Sequence, residues 1–234
     1  MRASWHLAVA VALAFGLAMS AFTPSGSTGV TGRTPSQWLA ASVSAAEKAS
    51  SVRVVSSHIR QGRQTWAFDI LSTGAGHEGT GSVWIGAGRL DLVLLGNALY
   101  FKANAAFWRS SGASSSVVQF LAGRWMKDSA TSSGFRDFAQ LLNLSYLFGT
   151  LSFTGGHGAL VAAGRRTIDG HPAVGVTDTA TSGGGTLWIA ATGQPYPLLI
   201  VQTGGPGRAV FEDWNAPAHI AAPRGAINLP KGTH

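Results

Sequence analysis

The sequence predicts an α+β fold: an antiparallel sheet of about ten strands with helices packed on one face. Three observations lead there. Apolar residues alternate with period two in two long stretches, helical spacing takes over between them, and the strand–helix–strand alternation that builds parallel sheets is missing. Composition agrees, with 31 glycines in 234 residues and only 12% charged residues, a balance suited to short strands and tight turns.

Residues 1–20 have the parts of an export signal. Arg2 supplies a thin positive region, Leu7 to Met19 is uncharged and apolar, and Ala18-Met19-Ser20 offers small residues where a signal peptidase cuts, placing cleavage between Ser20 and Ala21. The apolar core is shorter than the ~20 residues of a spanning helix. Counted from Trp5 to Phe22 it is longer, so an uncleaved anchor is the alternative. Residues 21–33 are rich in Gly, Ser, Thr and Pro and read as a flexible tether, and 34–234 as a single domain.

Thr34-Pro35-Ser36-Gln37 is a capping box with proline at the first helical position, so a helix is expected from there to about Ser50, with Leu39, Val43 and Ala46 as its apolar stripe. Five strands follow. Val52 and Val54 mark the first; Trp66, Phe68 and Ile70 alternate with polar or small neighbours in the second; Val83 to Ile85 is the third. Leu90 to Leu95, the fourth, is apolar on both faces, as expected of a strand covered twice or facing an apolar cavity. Gly96-Asn97 is a hairpin turn leading to the fifth, Leu99 to Lys102. Ala105 to Leu121 and Phe135 to Leu151 carry helical spacing. Strands resume over Leu160–Ile168, Ala173–Asp178, Leu187–Ala191, Pro197–Gln202 and Ala209–Trp214. Gly81 to Ala87 and Gly185 to Ala191 echo one another, which is too little to define a repeat.

Motifs for chemistry are scarce. With no cysteine, disulfides, thiolate metal sites, cysteine nucleophiles and thioether lipidation are excluded. The net charge of +7 is spread out, with Arg165-Arg166 the only adjacent basic pair, which describes a solvated surface better than a nucleic-acid patch. Gly74 to Gly79 matches a dinucleotide fingerprint formally, but it lies between two strands and no helix follows, so a hairpin turn is expected. His58, His77, His157, His171 and His219 lack zinc spacing, and Asp69, Asp91, Asp178 and Asp213 are isolated carboxylates. Asn143-Leu144-Ser145 is a glycosylation sequon by pattern inside an expected helix. No catalytic residue, metal site or cofactor is expected.

An ordered set of segments resembles the actinobacterial LppX/LprA/LprF/LprG lipoproteins, whose fold is similar to that of LolA and LolB. The segments are Leu99 to Trp108, Leu121 to Lys127, Ile168 to Val174, Gly185 to Ile189, Pro195 to Leu198 and Phe211 to Pro217, within roughly Pro35 to Leu229. The resemblance implies a strongly curved sheet, a half-open β-barrel, wrapped over helices. It also implies a non-enzymatic, extracytoplasmic lipid-binding or lipid-carrier protein that shelters acyl chains of a lipid or glycolipid in an apolar cavity. The expected cavity lining is Trp66, Phe68, Ile70, Leu92, Leu94, Leu99, Phe101, Phe120, Phe138, Leu141 and Leu142; plain core is the competing reading for each. Expected partners are lipid acyl chains and a membrane surface, with no nucleic acid, for a monomeric chain. A cell-envelope sensor or protein-interaction module on the same fold is the alternative. The family carries a lipid-modified cysteine after its signal. Here the region reads Ala18-Met19-Ser20-Ala21-Phe22, so the chain is either released or held by an uncleaved signal.

Overall fold

The computed structural model describes residues 32–61, 64–74, 76–143, 146, 158–180, 184–203 and 207–228. The expected signal, its cleavage point at Ser20 and Ala21, the tether up to residue 31, and the helical stretch over 147–151 lie outside the described residues.

The capping box forms as its residues dictate. Gln37 N donates to Thr34 Oγ1 (3.3 Å) and Thr34 N donates to Gln37 Oε1 (2.8 Å), opening helix α1 (Pro35–Glu47). The strands are β1 (Ser51–Gln61), β2 (Gln64–Thr73), β3 (Glu78–Ile85), β4 (Gly88–Leu95) and β5 (Ala98–Ala103). Helices α2 (Ala105–Ser110) and α3 (Ser115–Leu121), strand β6 (Met126–Ser129) and helix α4 (Arg136–Leu141) come next. Then follow β7 (Leu160–Ile168), β8 (His171–Asp178), β9 (Gly185–Ala190), β10 (Pro197–Gln202), β11 (Arg208–Glu212) and β12 (Ile227–Asn228).

All twelve strands form one sheet in the order β12-β6-β5-β4-β3-β2-β1-β11-β10-β9-β8-β7. Every pairing is antiparallel except the short parallel contact of β12 with β6. Among the described residues β7 and β12 do not meet, so the sheet is open. About ten strands were expected; the additional two, β6 and β12, are four and two residues long, too short to display an alternation. Two meanders join where β1 pairs with β11, and Arg53 clamps that seam on the outer face. Its guanidinium donates to both carboxylate oxygens of Asp69 on β2 (2.8 and 2.7 Å) and lies 3.1 Å from Glu212 on β11.

Alternation separates an inner, helix-covered face from an outer one. Val54, Ile70, Val83, Leu90, Leu92, Leu99, Phe101, Met126 and Phe211 point inward and join one large apolar cluster with residues of α2, α3 and α4. Leu39 of α1 covers a second inner cluster on β8 and β9, formed by Val174, Val176, Leu187 and Ile189. A third, smaller cluster (Ile168, Ala173, Trp188, Leu198, Leu199) occupies the outer face of the second meander. There Gly175 makes room for Trp188: a Cβ at that position would stand 2.9 Å from the indole.

Candidate functional site

The large inner cluster lies between the first meander and a cover of three helices, each of six or seven residues. Helices this short are not stable alone, so sequence-local capping and packing on the sheet hold them in place.

Both ends of the cover are fastened by hydrogen bonds. At its start, Asn104 caps α2: its Oδ1 accepts from Phe107 N (2.9 Å) and from Arg89 N (3.1 Å), and its Nδ2 donates to Ala87 O (3.0 Å). This ties α2 to the β3–β4 turn, where Gly88 lets the backbone of Phe107 come close; a Cβ there would sit 3.2 Å from Phe107 Cα. At its finish, Ser72 Oγ donates to Leu142 O (3.0 Å) and Asn143 Nδ2 donates to Gly76 O (2.9 Å). Gly79 permits that approach, since a Cβ there would lie 2.7 Å from Leu142 O and 2.8 Å from Leu142 Cβ. The Asn143 amide oxygen also accepts from Tyr146 N (3.0 Å), so its side chain is committed to structure.

Between the two fastenings β6 and Gly123 N (to Ala103 O, 2.8 Å) bond to β5, and the helices meet the sheet through apolar, mostly aromatic contacts. Phe101 of β5 stacks on Phe135 (centroids 4.0 Å apart, 26° between planes) and lies 6.4 Å from Trp108 of α2. Phe107 meets Trp108 edge-on at 5.4 Å and Phe138 of α4 at 6.3 Å. Two indole groups in this layer are orphaned. Trp66 and Trp108 are 7% and 2% exposed, and neither Nε1 has a hydrogen-bond partner. Asp128 Oδ2 and Ser132 Oγ, in the segment leading to α4, are buried and unpartnered as well. Such groups normally find partners, because each one left bare costs about 1–3 kcal/mol.

The structure gathers most of the residues expected to line a cavity. Trp66, Ile70, Leu92, Leu94, Leu99, Phe101, Phe138, Leu141 and Leu142 all belong to the large inner cluster, and half-buried Phe68 packs against it. Phe120 stands apart. It is 48% exposed, because α3 turns Val118 and Leu121 inward, and the Arg124 guanidinium sits 5.0 Å above its ring. A separate pocket of about 310 Å³, lined by Arg33, Trp38, Ala190, Ala191, Gly193 and Pro195, lies at the start of α1 and contains none of these residues. None of Asn104, Ser72, Asn143, Gly79 and Gly88 was read from sequence as a fastening of the cover; Asn143 was noted only in a sequon and Gly79 only in the Gly74–Gly79 stretch. Asn104 alone had a readable signal, an asparagine directly before a helical stretch.

Among the described residues, no group of three or more His, Asp or Glu side chains is placed to hold a metal ion. His77, His171 and His219 are exposed. The Asp91 carboxylate carries a shifted pKa. Burial pushes its pKa up, but hydrogen bonds from Ser82, Arg89 and Lys102 outweigh that and hold it below the usual carboxylate value. No helix of the described residues is long and apolar enough to cross a membrane.

These features define a class: an α+β protein with one open, predominantly antiparallel sheet whose inner face is covered by short, end-fastened helices. Two solved structures are similar. LprF from Mycobacterium bovis superposes with a TM-score of 0.56 at 16% identity, covering 81% of this chain and 96% of LprF. The Mycobacterium tuberculosis lipoprotein LppX gives 0.50 at 18% identity, covering 79% of this chain and 98% of LppX. At such identities the likeness is one of fold, and it agrees with the resemblance carried by the ordered sequence segments. No protein-family model matches the chain, and no curated protein does.

Proposed function

We propose that this chain is a non-enzymatic, extracytoplasmic lipid-binding protein that shelters acyl chains between the inner face of the first meander and the cover formed by α2, α3 and α4. The observation that carries the reading is that cover. It is fastened by hydrogen bonds at its ends and where β6 and Gly123 pair with β5, while the three helices themselves meet the sheet through side-chain contact. Non-directional contacts of that kind are replaceable by an acyl chain without breaking a strand ladder. Each CH₂ moved from water into such a layer gains about 0.8 kcal/mol, so a 16-carbon chain gains roughly 10 kcal/mol gross.

The orphaned indole N–H groups of Trp66 and Trp108 refine the cargo. They favour a lipid or glycolipid that brings acceptor atoms, such as ester or amide carbonyls, into the layer. The fold shared with LprF and LppX supports the same reading, as does the signal-like sequence of residues 1–20, with release after Ser20 or retention by the uncleaved segment as its two outcomes.

Native mass spectrometry and lipid extraction on the chain expressed in an actinobacterial host test this. The expected result is a co-purifying lipid with ester or amide groups. A chain that carries no lipid and takes none up from vesicles would refute it and leave the protein-interaction module as the better account.

A further inference from the structure

We propose that Asp128, at the β6 margin of the inner layer, accepts a hydrogen bond from a free hydroxyl of the cargo, which makes the cargo a partly acylated polyol. This rests on the acyl-site reading above and names its cargo more closely: acyl esters within the layer and an unacylated hydroxyl beside them.

Register decides where the carboxylate points. Across the β5–β6 ladder Phe101 stands opposite Met126, and Leu99 stands opposite Asp128. Residues directly opposite one another project from the same side of a sheet. Leu99, Phe101 and Met126 are fully buried in the large inner cluster, so Asp128 projects into that layer with them, while Lys127 between them goes outward. Only the two residues of β12 lie beyond β6, so this inward carboxylate sits at the margin of the layer.

Half of the carboxylate is used. Oδ1 accepts from Ser129 N (2.7 Å), whereas Oδ2 is buried without a hydrogen-bond partner, and Asp128 joins none of the ion pairs among the described residues. The turn that follows is closed by Ser132 N donating to Ser129 O (3.1 Å), and Ser132 Oγ is buried and unpartnered too. Ser132 O accepts from Phe135 N (3.1 Å), so the same turn sets the ring that stacks on Phe101. Holding that turn needs Oδ1 alone; Oδ2 is left for something else.

The missing partner of a carboxylate oxygen is a donor. A hydroxyl fits better than an ammonium, since a neutral group costs far less to take out of water. The bare indole N–H groups of Trp66 and Trp108 ask for the opposite, an acceptor. An acyl ester with a free hydroxyl on the same polyol supplies both.

Competition against a dansylated fatty acid, on the delipidated chain as its host processes it, reads the affinities. Methyl palmitate offers an ester and no hydroxyl, 1-palmitoylglycerol adds hydroxyls on glycerol, 6-O-palmitoylglucose adds them on a sugar, and hexadecylamine carries an ammonium. A hydrogen bond to a charged group is worth roughly tenfold or more, so one of the two polyol esters should bind about tenfold tighter than methyl palmitate, and the tighter one tells glycerol from sugar. Asp128→Ala should erase that preference while methyl palmitate keeps its affinity within about twofold, and Ser132→Ala should reduce the preference about threefold. The parent's preference is itself a test that needs no variant to fold. Equal binding of all three esters by the parent, as for a carboxylate satisfied by water, a preference that survives Asp128→Ala, or hexadecylamine binding tighter than every ester would each overturn the proposal. If the dansylated fatty acid itself fails to bind, the acyl-site reading falls and the hydroxyl site falls with it.

Discussion

Replacing Phe101 by alanine removes the ring that joins the sheet to its cover. The side chain is fully buried on β5, stacked at 4.0 Å on Phe135 before α4 and within 6.4 Å of Trp108 on α2. Truncating a buried phenylalanine costs about 3–5 kcal/mol through lost transfer energy and the cavity left behind. In a domain of this size each kcal/mol lowers the melting temperature by about 2–4 °C, so the variant should melt about 6–20 °C below the parent. Calorimetry or circular dichroism reads that shift. A second arm adds palmitate. A ligand at a hundred times its Kd stabilises by about 2.7 kcal/mol, raising the parent's melting temperature by roughly 5–11 °C if this layer is the acyl site. A drop below about 3 °C in Phe101→Ala would refute the role given to the ring. Absence of any palmitate effect in both proteins would refute the layer as an acyl site.

Asn104→Ala should loosen the start of the cover. It removes a helix cap worth about 1 kcal/mol and leaves Arg89 N without its side-chain acceptor. Amides of α2 should then exchange several-fold faster by hydrogen-exchange mass spectrometry while those of β2 and β3 keep their protection; uniform acceleration would contradict a locally fastened cover. Asp91 predicts the acid limb of stability. Its folded pKa lies below the usual carboxylate value, so its contribution is complete well above the unfolded value of about 3.9 and is lost as pH falls from there toward the lower folded value. Asp91→Asn should flatten the stability curve in that acid window, measured by urea unfolding as a function of pH, and a curve parallel to the parent's would refute the assignment.

Much of the fold was legible because local signals and tertiary demands coincide. The capping box at Thr34 opened α1, and the alternation of Trp66, Phe68 and Ile70 placed β2 with its inner face toward the cluster. The apolar character of β4 on both faces has a structural counterpart: Leu90, Leu92 and Leu94 are buried inward, and Val93 is only 7% exposed on the outer side. The echo between Gly81–Ala87 and Gly185–Ala191 proves to be a shared face pattern. Trp84 and Trp188 both point outward, and each lies under an arginine, Arg89 in one case and Arg166 in the other. The parallel pairing of β12 with β6 was not legible, since two residues near the end of the chain carry no periodicity. Phe120 was assigned to the inner side because Val117, Phe120 and Leu121 also have helical spacing; the helix buries Val118 instead, and which of two overlapping stripes faces inward is decided by the sheet beneath.

The site was legible in its apolar part and illegible in its polar part, for a physical reason that bears on how it works. Burial is non-directional, so a pattern of large apolar residues announces an inner layer but leaves core and cavity wall alike. The hydrogen bonds of Asn104, Ser72 and Asn143 are directional and join residues distant in sequence, 70 apart for Ser72 and Leu142 and 67 apart for Asn143 and Gly76. Apart from the Asn104 cap of its own helix, no local pattern encodes them. They also divide the cover into two kinds of attachment. Each terminal hydrogen bond contributes about 0.5–1.5 kcal/mol and fixes position, whereas the aromatic contacts between them contribute more in sum and are satisfied by any apolar surface of the right shape. Under the proposed function, an entering acyl chain therefore competes with Phe107, Phe135 and Phe138 for the sheet while Asn104 and Ser72 keep the cover in register.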